Sequence, residues 1–98
     1  MRHEFHPEAL EEFTEAAHYY ADCQEGLDLR FVTTVESAIR RIMEAPERWR
    51  VFEEDVRRCL THIFPYAILY TIEPEGCVLI LAVMHCRREP GYWRHRHG

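Results

Sequence analysis

The most reactive side chains of the sequence directly follow its last long apolar run. His85 opens this segment, and Arg87, Arg88, Tyr92 and Trp93 come after it. Histidine titrates near neutral pH and can donate or accept a proton, whereas arginine offers planar N–H donors to carboxylate or phosphate. The apolar run predicts a buried strand, so the scaffold ends where a candidate anion-binding site begins.

Each of these residues also has a purely structural interpretation. His85 could cap the strand, and the two arginines could form surface ion pairs with nearby acids. Tyr92 and Trp93 could pack the C-terminal tail onto the core. The sequence leaves both interpretations open.

Two amphipathic helices are predicted ahead of the strands. Pro7 suits the first position of a helix and Glu8 suits its positive end. Apolar residues then recur every three or four positions until Gly26. A second apolar stripe over residues 27–44 ends before Pro46, which cannot continue a helix. The short connection between the stripes predicts an antiparallel helical hairpin.

The remaining segments predict a sheet. Residues 2–6 alternate weakly, and three longer strands are expected at Val56–Phe64, Tyr66–Ile72 and Cys77–His85. Turn residues at 73–76 join the last two strands as antiparallel neighbours. The sequence therefore predicts an α+β fold of order β-α-α-β-β-β. A helical hairpin packs on a small antiparallel sheet, within one domain of residues 1–98.

Charge is divided unevenly along the chain. Residues 1–56 contain fourteen acids and six arginines, and residues 57–98 contain six arginines and three acids, so the two parts carry −8 and +3. The total of −5 excludes a protein whose whole surface clamps nucleic acid, but it allows one basic face. Four acids of the first predicted helix are expected to form a solvated face: Glu8, Glu11, Glu12 and Glu15.

The sequence shows no membrane signal and only a weak metal signal. No stretch has the roughly 18 apolar residues of a membrane span, and the N-terminus lacks the apolar core of a signal peptide. We therefore expect a cytoplasmic protein without membrane contact. His85, Cys86, His95 and His97 could suggest a metal site, but His-x-His with no partner at a fixed spacing is a weak zinc signal. Neither a metal ion nor a cofactor is expected.

Particular residues stand at the joints between the predicted elements. Those around the helices are Phe5-His6-Pro7-Glu8-Ala9, Ala17-His18-Tyr19-Tyr20, Gly26-Leu27, Phe31, Ile42, Pro46 and Trp49. Those around the strands are Val56-Arg57-Arg58, Phe64-Pro65-Tyr66, Ile68, Tyr70, Ile80-Leu81-Ala82-Val83, His85, Arg87, Arg88, Pro90, Tyr92 and Trp93. In this order they resemble the RelE/ParE superfamily of toxins from bacterial type II toxin–antitoxin modules.

The resemblance implies two toxin functions. Members similar to ParE poison DNA gyrase, and members similar to RelE cleave messenger RNA on the ribosome; a cognate antitoxin neutralises either kind. The sequence pI of about 5.8 and the absence of lysine favour the gyrase inhibitor, because ribosome binding would depend on phosphate contacts. The alternatives are a ribosome-dependent endoribonuclease and a non-toxic binding module of the same fold.

The two functions use the candidate residues differently. RNA cleavage through a 2′-hydroxyl requires an acid, a base and cations on the phosphate, which a RelE-like enzyme would take from His85, Arg87 and Arg58. Arg57 and Arg58 alternate on a strand, so only one of them can join the site. The remaining candidates are target- or anion-binding residues: Arg57, Arg88, Tyr66, Tyr92 and Trp93. Arg87 and Arg88 could equally receive an acidic antitoxin tail.

Overall fold

The computed structural model describes residues 1–97. Its elements follow one another as β1 (His3–Phe5), α1 (Pro7–Cys23), α2 (Leu27–Glu44), β2 (Val51–Glu53), β3 (Val56–Leu60), β4 (Tyr66–Ile72) and β5 (Val78–His85). A short 3-10 turn at Arg94–Arg96 closes the described chain. The predicted α+β fold and the order of its helices and strands are confirmed, and the sheet has one strand more than predicted.

The helical hairpin forms where the sequence predicts it. Pro7 occupies the first turn of α1, and His6 Nδ1 accepts a hydrogen bond from the Glu8 N–H at 3.1 Å. This bond satisfies one of the N–H groups that a helix start leaves free. Gly26 separates the helices with a φ of 83°, which a residue without Cβ adopts readily. No helix within residues 1–97 is long and apolar enough to cross a membrane.

The strands form one sheet in the order β1-β5-β4-β3-β2. β1 runs parallel to β5, whereas the other neighbouring strands are antiparallel. The sheet is therefore mixed, although the sequence predicted a purely antiparallel one. β2 falls within the predicted polar loop because three residues are too few to show alternation. The predicted strand Val56–Phe64 ends at Leu60, and Ile63 then turns the chain with a φ of 71°.

Each face of the sheet carries its own apolar cluster. Phe31 and Ile42 of the hairpin pack on one face, against β4 and β5 residues such as Ile68. The segment after β5, residues 86–97, is the C-terminal tail. On the opposite face of the sheet, Trp93 of this tail packs against Leu69 and Leu81. The helices cover one face of the sheet, and the C-terminal tail shields part of the other.

Trp93 should contribute strongly to stability because its side chain is only 2% exposed. We expect Trp93→Ala to lower the free energy of unfolding by about 3–5 kcal/mol, since the vacated ring volume leaves a cavity. Chemical denaturation monitored by circular dichroism measures this loss. Trp93→Phe is the control, because it keeps most of the apolar contact. Equal losses for the two variants would contradict this role.

Candidate functional site

Side chains continue the pairing of β5 where β1 ends. The register of β1 on β5 stops at Ile80. Beyond it, Glu12 Oε1 accepts a hydrogen bond from the Val83 N–H at 3.1 Å, and Arg96 Nη1 donates to the Leu81 carbonyl at 3.1 Å. Unpaired backbone groups at a strand edge are costly when buried and invite pairing with other chains. Glu12 and Arg96 therefore protect this part of the edge.

Glu12 is also the anchor of the C-terminal tail. Its carboxylate forms an ion pair with Arg96, whose Nη1 lies 2.8 Å from Glu12 Oε1, and the two side chains are 16% and 6% exposed. The Tyr92 hydroxyl donates a hydrogen bond to Glu12 Oε2. The pKa of Tyr92 is raised, mainly because the phenol is buried and also because it donates this hydrogen bond. One carboxylate thus joins helix α1, strand β5 and two residues of the tail.

A second acid of α1 pairs with the tail at the surface. His95 Nε2 lies 2.9 Å from a carboxylate oxygen of Glu8, and this contact lowers the pKa of Glu8. The predicted solvated face is therefore wrong at Glu12, which is largely buried, and incomplete at Glu8. Glu11 and Glu15 are exposed as expected.

The tail also pairs with the segment formed by β2, β3 and their connecting turn. Arg94 donates two hydrogen bonds to the Glu53 carboxylate, at 2.6 and 2.7 Å. His97 Nε2 lies 2.6 Å from Asp55 Oδ1. The Arg94 bond lowers the pKa of Glu53, and the His97 bond lowers that of Asp55. Four consecutive tail residues, 94–97, therefore each pair with a different acid.

A cleft of about 230 Å³ opens between α1 and the end of β5. Glu12 and Glu15 lie on its helical side. Four predicted site residues line it: Tyr66, His85, Arg88 and Tyr92. The Arg88 guanidinium lies 4.0 Å from the centroid of the Tyr92 ring, a cation–π contact that fixes the direction of the arginine. The cleft therefore places cationic and aromatic groups opposite carboxylates.

His85 lies at the mouth of this cleft with one ring nitrogen already engaged. Its ring packs edge-on against Tyr66, with centroids 5.2 Å apart. Its Nδ1 accepts the backbone N–H of Arg87 at 3.0 Å. A neutral imidazole that accepts at Nδ1 has its proton on Nε2. His85 Nε2 is thus a hydrogen-bond donor in this arrangement and not a free base.

Tyr66 is unsuited to act as a base in place of His85. Its side chain is only 9% exposed, and burial is the main cause that raises its pKa to about 12. A phenol with that pKa stays protonated near neutral pH. The hydroxyl can donate a hydrogen bond, and the ring can pack against a partner at the cleft.

The structure does not bring the predicted arginines together. Arg57 donates to the backbone carbonyls of Glu47 and Trp49, at 3.0 and 2.7 Å, on the helix side of the sheet. Arg58 lies on the other face, with its guanidinium 5.0 Å from the centroid of Phe52. Arg87 is exposed in the turn after β5, and its side chain has no hydrogen bond or ion pair within residues 1–97.

Two site residues were missed by sequence reasoning, and Trp93, like Arg57 and Arg58, does not line the cleft. Trp93 is buried in the second apolar cluster, away from the cleft surface. Glu12 and Arg96 hold the cleft together, although they were not among the candidates. The acidic first helix and the basic tail were a usable signal, because opposite charges at the two ends of a chain can pair. Their residue-by-residue pairing follows from the fold alone.

Residues 3–90 match the model of a protein family described as the ParE toxin of the type II toxin–antitoxin system parDE. The chain belongs to this family. Its membership makes it a toxin of a type II system and implies an antitoxin as partner. A search among curated proteins found no match. The matched segment of this ParE-family toxin ends before the tail residues that pair with α1 and with the β2–β3 segment.

Glu12→Gln should destabilise the toxin because it removes the charge that pairs with the buried Arg96. We expect a loss of roughly 1–3 kcal/mol in the free energy of unfolding. Denaturant titration measures it. Glu15→Gln is the matched control, because Glu15 lies on the same helix, is exposed and has no hydrogen bond or ion pair in the described chain. Similar losses in both variants would contradict the anchoring role of Glu12.

The stability of the toxin should fall at alkaline pH. Burial raises the pKa values of Tyr66 and Tyr70 from 10.0 to about 12. Unfolded chains release these protons near pH 10 and the folded chain retains them, so the free energy of unfolding decreases as the pH rises from 10 through about 12. Tyrosinate absorbance and circular dichroism during a pH titration check this. Tyr66→Phe should make the decrease shallower, and an unchanged decrease would contradict the assignment.

Proposed function

We propose that this toxin inhibits DNA gyrase by binding it, and that a cognate antitoxin blocks this activity in the cell. The observation that carries the proposal is the engaged Nδ1 of His85, which leaves the ring without a free base nitrogen. A nuclease that used His85 as its general base would need such a nitrogen within reach of a 2′-hydroxyl. A site that binds a protein needs only its donors and its shape.

The positions of the arginines support the same proposal. Phosphoryl chemistry needs several cations directed at one phosphate. Arg57 and Arg58 instead have partners on opposite faces of the sheet, and Arg88 is stacked on Tyr92. Arg87 is exposed and directly precedes Arg88, which lines the cleft. Two cations that are adjacent in sequence at the surface suit the recognition of acidic groups on a protein.

An apolar groove supports the antitoxin part of the proposal. About 630 Å³ is open beside the edge strand β1, between it and the helices. Its apolar lining consists of Phe5, Phe13, Ile39 and Met43. An amphipathic segment can bury one face in such a groove, and a disordered segment can fold as it does so. The antitoxin would then contact the helices and the sheet edge together.

The variant His85→Asn distinguishes a gyrase inhibitor from an RNA-cleaving enzyme. The Asn side-chain oxygen can accept the Arg87 N–H as Nδ1 does, but the amide does not transfer protons near neutral pH. We expect the induced variant to arrest bacterial growth as the parent does. The purified variant should also inhibit gyrase supercoiling with a similar midpoint, whereas a nuclease would lose about 10²–10⁴-fold in rate.

Arg87→Ala provides the complementary measurement. It removes an exposed cation next in sequence to the cleft residue Arg88, so inhibition of supercoiling should weaken while the thermal midpoint of unfolding stays unchanged. Messenger RNA from induced cells should remain intact for every variant. Specific cleavage of ribosome-bound messenger RNA that disappears in His85→Asn would overturn the gyrase proposal. Normal growth on induction of the parent chain would favour the non-toxic binding module.

A further inference from the structure

Three side chains that can bind metal ions meet where the tail crosses the β2–β3 turn. Glu54 and Asp55 belong to the turn, and His97 belongs to the tail. One ligand atom from each residue lies within 4.8 Å of the other two. Asp55 and His97 are 42 residues apart in sequence, and the Arg94–Glu53 ion pair brings their segments together.

The spacing of these atoms suits a small divalent ion. An imidazole nitrogen and two carboxylate oxygens form a donor set that divalent transition metals accept, Zn²⁺ in particular. Tetrahedral bonds of about 2.0–2.2 Å place ligand atoms roughly 3.3–3.6 Å apart. His97 Nε2 and Asp55 Oδ1 are 2.6 Å apart, so the pair would have to open slightly. Glu54 and Asp55 lie in an exposed turn, which can make this adjustment.

A buried hydroxyl already orients one of the carboxylates. Thr71 is only 3% exposed, and its Oγ1 donates to Asp55 Oδ2 at 3.3 Å. This bond leaves Asp55 Oδ1 directed at His97. Hydrogen bonds to the second oxygen of a ligating carboxylate commonly fix its orientation in metal sites.

A small cavity beside Glu54 and His97 is lined in part by a residue whose polar group is unpaired. It measures about 70 Å³, and its lining includes Glu54, His97 and Trp93. The Trp93 ring is 2% exposed, and its Nε1 has no hydrogen-bond acceptor in the described chain. The cavity can hold a water molecule, whose share of liquid volume is about 30 Å³.

We propose that Glu54, Asp55 and His97 form a binding site for a divalent transition-metal ion, with Zn²⁺ the best match. The ion would tie the tail to the β2–β3 turn and would keep at least one position open for water or for a partner's side chain. In the sequence, His95 and His97 are only a weak zinc signal, because the two carboxylates come from a distant segment. His97 lies beyond the residues matched by the ParE family.

Calorimetric titration of tag-free toxin with Zn²⁺ tests the site. We expect one saturable ion per chain. Loss of a direct ligand in His97→Gln should weaken binding by more than the roughly 10–100-fold typical of outer hydrogen-bond partners. His95→Gln is the matched control, because His95 lies on the same tail and pairs with Glu8 instead. Absence of saturable binding, or equal weakening by both substitutions, would overturn the proposal.

Nuclear magnetic resonance with Co²⁺ locates the ion independently. The chain has two tryptophans, so two indole N–H signals are expected. Paramagnetic broadening should affect Trp93 and leave the signal of Trp49, which donates to the Arg41 carbonyl, much less changed. Thr71→Val should weaken binding by about 10–100-fold without removing a ligand. Equal broadening of both indole signals would place the ion elsewhere and contradict the site.

Discussion

The contacts of the Glu12 carboxylate determine how the tail is arranged on this fold. β1 is too short to cover the edge of β5, and the N–H of the buried Val83, which no strand pairs, requires an acceptor. Glu12 provides it from α1, and the resulting buried charge requires a cation, which Arg96 provides from the tail. Because a buried charge without a partner is costly, these requirements couple helix, strand and tail.

The cleft is a consequence of this coupling. Tyr92 donates to the same carboxylate, and its ring in turn supports the guanidinium of Arg88. Tyr92 and Arg88 form one side of the cleft, and Glu12 holds them in place. The other side of the cleft is positioned by the pairing of Tyr66 with His85 in the sheet. A partner that binds the cleft meets donors whose positions are fixed by buried bonds. Such preorganisation reduces the entropy lost on binding.

The tail has two kinds of attachment, which differ in strength. Trp93 and Arg96 are buried, and their contacts resist solvent. The pairs His95–Glu8 and Arg94–Glu53 are more exposed, so salt screens them and each adds little stability. The exposed pairs instead fix the path of the tail. That path brings His97 to Asp55 and creates the proposed metal site.

The sequence by itself determined the helices, the three long strands and the toxin family, because periodicity, turn residues and joint residues are local features. It also placed His85, Arg88, Tyr66 and Tyr92 among the candidates. Only the tertiary structure decided that Arg57 and Arg58 have separate partners, that Trp93 is buried and that Glu12 is the anchor. It also brought Glu54 and Asp55 to His97. These facts depend on contacts between segments far apart in the chain, and no local spacing encodes such contacts.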